Sequence, residues 1–128
     1  MNLLLDTHVF IWLNTHVNKI SQPALTVCEN PDNQLYFSVV SAWEIQIKQQ
    51  IGKLQLQVTL EKMIQTQQTD NNLLILPIKL SHIYALQSLP FYHHDPFDRL
   101  IVAQTFLEEM VLVSADNQLY QYDINIIW

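Results

Sequence analysis

Short, continuous apolar runs alternate along the chain with longer stretches in which apolar residues recur at helical spacing. The runs Leu3-Leu4-Leu5, Leu35 to Val39, Leu73 to Leu76, Val111 to Ala115 and Ile124 to Ile127 are too short for helices and rich in β-formers. Each predicts a strand. Helices are predicted between them: Thr7 to Leu13, packing through Val9, Phe10, Trp12 and Leu13, and one started by Ser21 as N-cap with Pro23 in its first turn. A third runs from about Ala42 to Gln50 and stops at Gly52, the only glycine. Val58 to Thr69 carries apolar residues at 60, 63 and 64, and further helices are expected at Ser81 to Gln87 and Pro96 to Glu109. Leu89 to His94 reads as a loop and Asn117 to Tyr122 as a short connecting segment.

Strands that are apolar along their whole length are buried on both faces, the mark of a parallel sheet between helical layers. The expected fold is therefore an α/β/α three-layer sandwich around a central, mainly parallel sheet. No repeat, low-complexity tract or linker divides it, so residues 1–128 are read as one domain. A chain that is 49% hydrophobic and 14% charged is not disordered. Cys28 stands alone and has no partner for an intramolecular disulfide. The first apolar stretch lacks a basic flank and is broken by Asp6 and His8, so neither a signal peptide nor a membrane span is expected. A cytoplasmic protein is.

Isolated acids define the chemistry. Asp6 ends the first apolar run, Glu44 follows the second, Asp98 opens the helix holding Leu100 to Ala103, and Asp116 closes the run at 111–115. In a parallel α/β sheet these junctions meet in one crevice beyond the carboxyl ends of the strands. Four ionised carboxylates gathered there repel one another and need a cation; hard oxygen ligands favour Mg²⁺, with Mn²⁺ as the alternative. Taken singly, each acid has a plainer role. Asp6, Asp95 and Asp116 suit helix or turn caps, and Ser41 to Glu44 forms a capping box. Caps alone give no reason for the acids to fall at junctions that converge. Of the pair in Asp95-Pro96-Phe97-Asp98, Asp95 suits the cap and Asp98 the ligand, with Asp95 as the substitute.

Neighbouring residues add less. Thr7 and Ser114 are hydroxyls placed to support the acids. Lys48 either pairs with Glu44 one helical turn away or contacts phosphate at the crevice mouth. Arg99 either neutralises the cluster or grips phosphate. His93 and His94 read as a solvated loop beside the site. The five histidines lack zinc spacing, and a single glycine excludes Walker and Rossmann phosphate loops. The net charge of −6, with only Lys19, Lys48, Lys53, Lys62, Lys79 and Arg99 basic, weakens the case for nucleic acid held by a basic surface and equally suits a cationic partner.

Leu3-Leu4-Leu5-Asp6-Thr7-His8 with Phe10-Ile11-Trp12 resembles the opening motif of PIN-domain proteins, specifically the VapC-type toxins of type II toxin–antitoxin pairs. Ser41 to Lys48 followed by Gly52-Lys53-Leu54 is similar to that group's second motif. His94-Asp95-Pro96-Phe97-Asp98-Arg99-Leu100-Ile101-Val102-Ala103-Gln104 is the most specific match, and Ser114-Ala115-Asp116 and Tyr122-Asp123 to Trp128 resemble its ending. The resemblance spans essentially the whole chain. It implies a compact PIN fold and a metal-dependent endoribonuclease, with the family's acids on Asp6, Glu44, Asp98 and Asp116. It further implies an RNA substrate, a homodimer and a cognate antitoxin that blocks the site. The rival expectations are a catalytically silent module that sequesters a partner, and a metal-dependent DNA nuclease or phosphatase.

Overall fold

The computed structural model describes residues 1–128. In chain order it contains β1 (Asn2–Leu5), α1 (Thr7–Thr15), α2 (Gln22–Glu29), β2 (Gln34–Ser38), α3 (Val39–Gln50), α4 (Leu60–Asn71), β3 (Leu74–Leu76), α5 (Leu80–Ala85), α6 (Pro96–Leu107), β4 (Val111–Val113) and β5 (Asn125–Ile127). Single 3-10 turns cover Val17–Lys19, Leu86–Ser88 and Asn117–Gln121. The strands form one sheet in the order β3-β2-β1-β4-β5, and every neighbouring pair is parallel.

The alternation of side chains along β1 sorts the core into two layers. Leu3 and Leu5 join Phe10, Phe37, Ile45 and Met63 on the face covered by α1, α2, α3 and α4. Leu4 turns to the other face, with Leu100, Ile101, Leu112 and Leu119, under α6. The result is the three-layer sandwich expected from the uninterrupted apolar runs.

Chain order then places the site. From β1 the chain winds outward through β2 to β3, then crosses back to lay β4 on the other side of β1. The sheet's switch point, where a crevice opens at the carboxyl edge, therefore lies between β1 and β4. Asp6 follows β1 there, its N–H donating to the Val113 carbonyl of β4 at 3.0 Å.

One boundary differs instructively. Val39, a β-former, closes the expected strand, and the helix is expected only from about Ala42, yet α3 begins at Val39. Ser38 ends β2 and caps α3 at once: its Oγ accepts from the Val40 N–H at 3.0 Å and donates to Gln104 Oε1 of α6 at 2.6 Å. The capping box expected at Ser41 and Glu44 is thereby overturned. With the cap three residues earlier, both side chains lie inside the helix, free to face the crevice.

Candidate metal centre at the sheet switch point

Asp6 is the N-cap of α1 and is buried to 6% exposure. Its Oδ1 accepts from the Thr7 N–H at 2.7 Å, and its Oδ2 from Ser114 Oγ at 2.6 Å. Burial raises its pKa above the ordinary carboxylate range, and the Ser114 and Thr7 hydrogen bonds offset only part of that. Across the crevice, Glu44 of α3 is equally buried. Thr7 Oγ1 donates to Glu44 Oε1 at 2.7 Å and lies 2.9 Å from the Ser41 hydroxyl, while Lys48 Nζ holds Oε2 at 2.6 Å. Thr7 thus ties the first two acids together, with its backbone on one and its hydroxyl on the other. Burial works against the Lys48 charge, yet Glu44, with Asp95 and Asp98 adding, keeps its ammonium above its usual pKa.

Asp95 caps α6, its Oδ1 accepting from the Phe97 and Asp98 N–H groups at 2.8 and 3.0 Å. Asp98 projects from the first turn. Burial pushes its pKa up to about 7, reinforced by repulsion from Asp6, Asp95 and Glu44. Three acids from three elements therefore feel one another at Asp98. Asp116 sits beyond β4, with Oδ1 accepting from the Gln118 N–H at 2.9 Å.

Two positions depart from expectation. His93 is no solvated loop residue: its side chain is 14% exposed, and Nε2 lies 3.2 Å from Asp98 Oδ2 and 3.1 Å from Asp116 Oδ2. Nδ1 accepts from the Asp95 N–H at 3.1 Å, which assigns the proton of the neutral ring to Nε2, facing the two carboxylates. The Tyr122 hydroxyl fixes this loop, donating to the Pro90 carbonyl at 2.8 Å and accepting from the His93 N–H at 3.0 Å. The sequence signal is a histidine two residues before an aspartate N-cap, where its ring can accept from the cap's own N–H.

Arg99 neither neutralises the cluster nor faces the crevice. It is buried, donating to the carbonyls of Pro90, Leu89 and Leu86 at 2.8, 3.1 and 3.3 Å, with Phe91 stacked 3.9 Å from the guanidinium carbon. Adjacency to Asp98 in sequence misleads because neighbours on a helix point about 100° apart.

The donor set suits a divalent cation. All four acids offer hard oxygens. The high pKa of Asp98 arises from burial among anions, a cost that a bound cation reverses. Asp6, Glu44 and Asp98 could hold one ion, and Asp98 with Asp116 a second. The ligating atoms of His93, Asp98 and Asp116 lie within 4.8 Å of one another. An Nε2 that carries its proton donates to the carboxylates and offers no lone pair, so His93 orients Asp98 and Asp116 in this tautomer.

Fold and site together define an α/β protein with an acidic crevice at the switch point of a parallel sheet. The PIN domain family model matches residues 3–125, and the chain belongs to that family. No curated protein matches the sequence. Among solved structures, the chain is similar to a VapBC2 complex of Rickettsia felis bound to a DNA fragment from their promoter, with TM-score 0.71 and 14% identity over 99% of this chain and 98% of that one. It is also similar to VapBC-1 of nontypeable Haemophilus influenzae, with TM-score 0.65 and 20% identity over 99% and 97% of the two chains. A third is VapBC-5 of Mycobacterium tuberculosis, of the VapBC family of toxin–antitoxin systems, with TM-score 0.61 and 17% identity over 98% and 97%.

Proposed function

We propose that this protein is a Mg²⁺-dependent endoribonuclease, able to use Mn²⁺, that acts in the cytoplasm as the VapC-type toxin of a type II toxin–antitoxin pair. One observation carries the reading: four carboxylates from four elements of a PIN fold converge at one sheet edge, burying Asp98 among like charges. A fold needing only helix caps has no use for that repulsion. The similarity to VapBC complexes supports a cognate antitoxin as partner. A homodimer is part of the same reading.

Asp6 and Asp98 are the principal ligands in this mechanism. Glu44, pinned by Thr7 and Lys48, completes the set or orients the attacking water, and Asp116 serves a second ion or a water beyond the first. When bound, the metal supplies Lewis acidity that lowers the pKa of a water and stabilises the departing oxygen. Ser114 and Thr7 keep the ligand oxygens aimed into the crevice, and His93 holds Asp116 beside Asp98. In-line attack leaves a 5′-phosphate and a 3′-hydroxyl.

The test is incubation of the purified, antitoxin-free protein with total cellular RNA in Mg²⁺ or EDTA, beside Asp98→Asn. Discrete cleavage that needs both Mg²⁺ and Asp98, with 5′-phosphate ends, is expected. A 2′,3′-cyclic phosphate product contradicts the mechanism. A folded protein that binds Mg²⁺ without cutting RNA supports the sequestering module instead, and preferential cutting of single-stranded DNA supports the DNA nuclease.

A further inference from the structure

The six cations of the chain are unequally free. Arg99 is spent on backbone carbonyls, Lys79 pairs with Glu108 at 3.1 Å and Lys48 with Glu44 at 2.6 Å. Lys19, Lys53 and Lys62 are exposed and make no ion pair. Of these, Lys53 alone lines a recess that abuts the acidic crevice, sharing Thr7 and Lys48 with it. That recess, about 390 Å³, is walled by Thr7, His8, Ile11, Lys48, Lys53 and Leu54. Thr7 and Lys48 are the residues that grip the two oxygens of Glu44, so recess and crevice share a wall. Its size falls in the roughly 300–1,000 Å³ range of ligand pockets.

The backbone brings Lys53 to this place. Gly52 turns the chain with φ of +76°, after which the Lys53 and Leu54 N–H groups both donate to the Lys48 carbonyl, at 2.9 and 3.1 Å. The turn folds Lys53 back beside Lys48 instead of letting it trail away from α3. Opposite, exposed His8 projects from the first turn of α1 and is backed by Trp12, with ring centroids 5.8 Å apart.

We propose that this recess is a phosphate subsite, in which Lys53, aided by Lys48 and His8, holds the RNA backbone phosphate next to the one being cut. The inference rests on the nuclease reading above and supplies what the charge balance otherwise denies it. A protein of net charge −6 repels a polyanion at long range. Approach to a cluster of carboxylates then depends on cations at its rim, and the Lys48–Lys53 pair is the one the fold places there. A substrate phosphate also gives Lys48 an anion beyond Glu44, linking substrate arrival to the orientation of that carboxylate.

The probe is a short fluorescein-labelled single-stranded RNA of randomised sequence, bound in Ca²⁺ in place of Mg²⁺, with its integrity checked on a gel. Affinity is measured across a salt series for wild type, Lys53→Gln, Lys53→Arg and Lys19→Gln. Lys19 lies past the far end of α1 and carries the same charge. Lys53→Gln is expected to weaken binding several-fold and to reduce the slope of log K against log salt by about 0.7, the loss of one phosphate contact on a single strand. Lys53→Arg should keep both values and Lys19→Gln should change neither. Equal slopes for Lys53→Gln and wild type overturn the subsite, as does displacement of the RNA by polyglutamate as readily as by unlabelled RNA. The two readings fail separately. Cleavage that needs Asp98 with a slope indifferent to Lys53 overturns the subsite alone; no Mg²⁺-dependent cleavage with a slope that needs Lys53 overturns the nuclease alone.

Discussion

A carboxyl pushed up to about 7, by burial first and then by Asp6, Asp95 and Glu44, makes Asp98 costly to the metal-free fold. Its folded pKa lies above the ordinary 3.8, so the folded state holds the proton more tightly than the unfolded chain. The stability this contributes is present at low pH and is lost as pH rises from 3.8 through about 7. In EDTA, Asp98→Asn should therefore melt above wild type, by a margin that widens between about pH 5 and about pH 8. A constant margin across that range would contradict the assignment. Divalent-ion affinity should run the opposite way in wild type, strengthening through the same range because binding expels the proton; Mn²⁺ titration calorimetry reads it. That Asp6, Glu44, Asp98 and Asp116 come near one another was legible in sequence because each stands at the edge of an apolar run. Arg99 was misread and His93 missed because helix phase and loop conformation, not sequence neighbours, decide where those side chains point.

Among the elements, the turn after α3 is set by one residue. Gly52 has φ of +76° with nothing within 4 Å of where a Cβ would lie, so a side chain there meets conformational strain and no clash. Gly52→Ala should destabilise the protein by about 1 kcal/mol, seen as a lower midpoint in urea with an unchanged m-value. It should also weaken RNA binding if Lys53 leaves its place beside Lys48. The only glycine pointed to the end of α3 in the sequence, and the helix does end there. Its start was not legible, because Val39-Val40 favours a strand on propensity and is overridden by the Ser38 cap and its bond to Gln104 of α6. That bond joins residues 66 apart in the chain, a separation no local pattern records.

Across the whole molecule, the uninterrupted apolar runs specified a parallel sheet covered on both sides, and the structure has one. Strand order was a different matter. Nothing local to Leu3-Leu4-Leu5 says that β1 lies between β2 and β4, and that order is what opens the crevice at Asp6. The Ser114 to Asp6 hydrogen bond, 2.6 Å long, spans 108 residues of chain. On a ribosome adding roughly 5–20 residues per second, Asp6 emerges well before the hydroxyl that aims it. A chain halted after Met110 lacks β4, β5, Ser114 and Asp116, and its Leu4 layer loses Leu112, Leu119 and Tyr122. Such a fragment should show no cooperative melt and no tight Mn²⁺ site by calorimetry. The order of synthesis therefore delays assembly of the crevice. Asp6 and Glu44 are made early, yet the hydrogen bond that aims Asp6 and the strand that closes its side of the crevice come more than a hundred residues later, so the crevice is among the last parts of the fold to be completed.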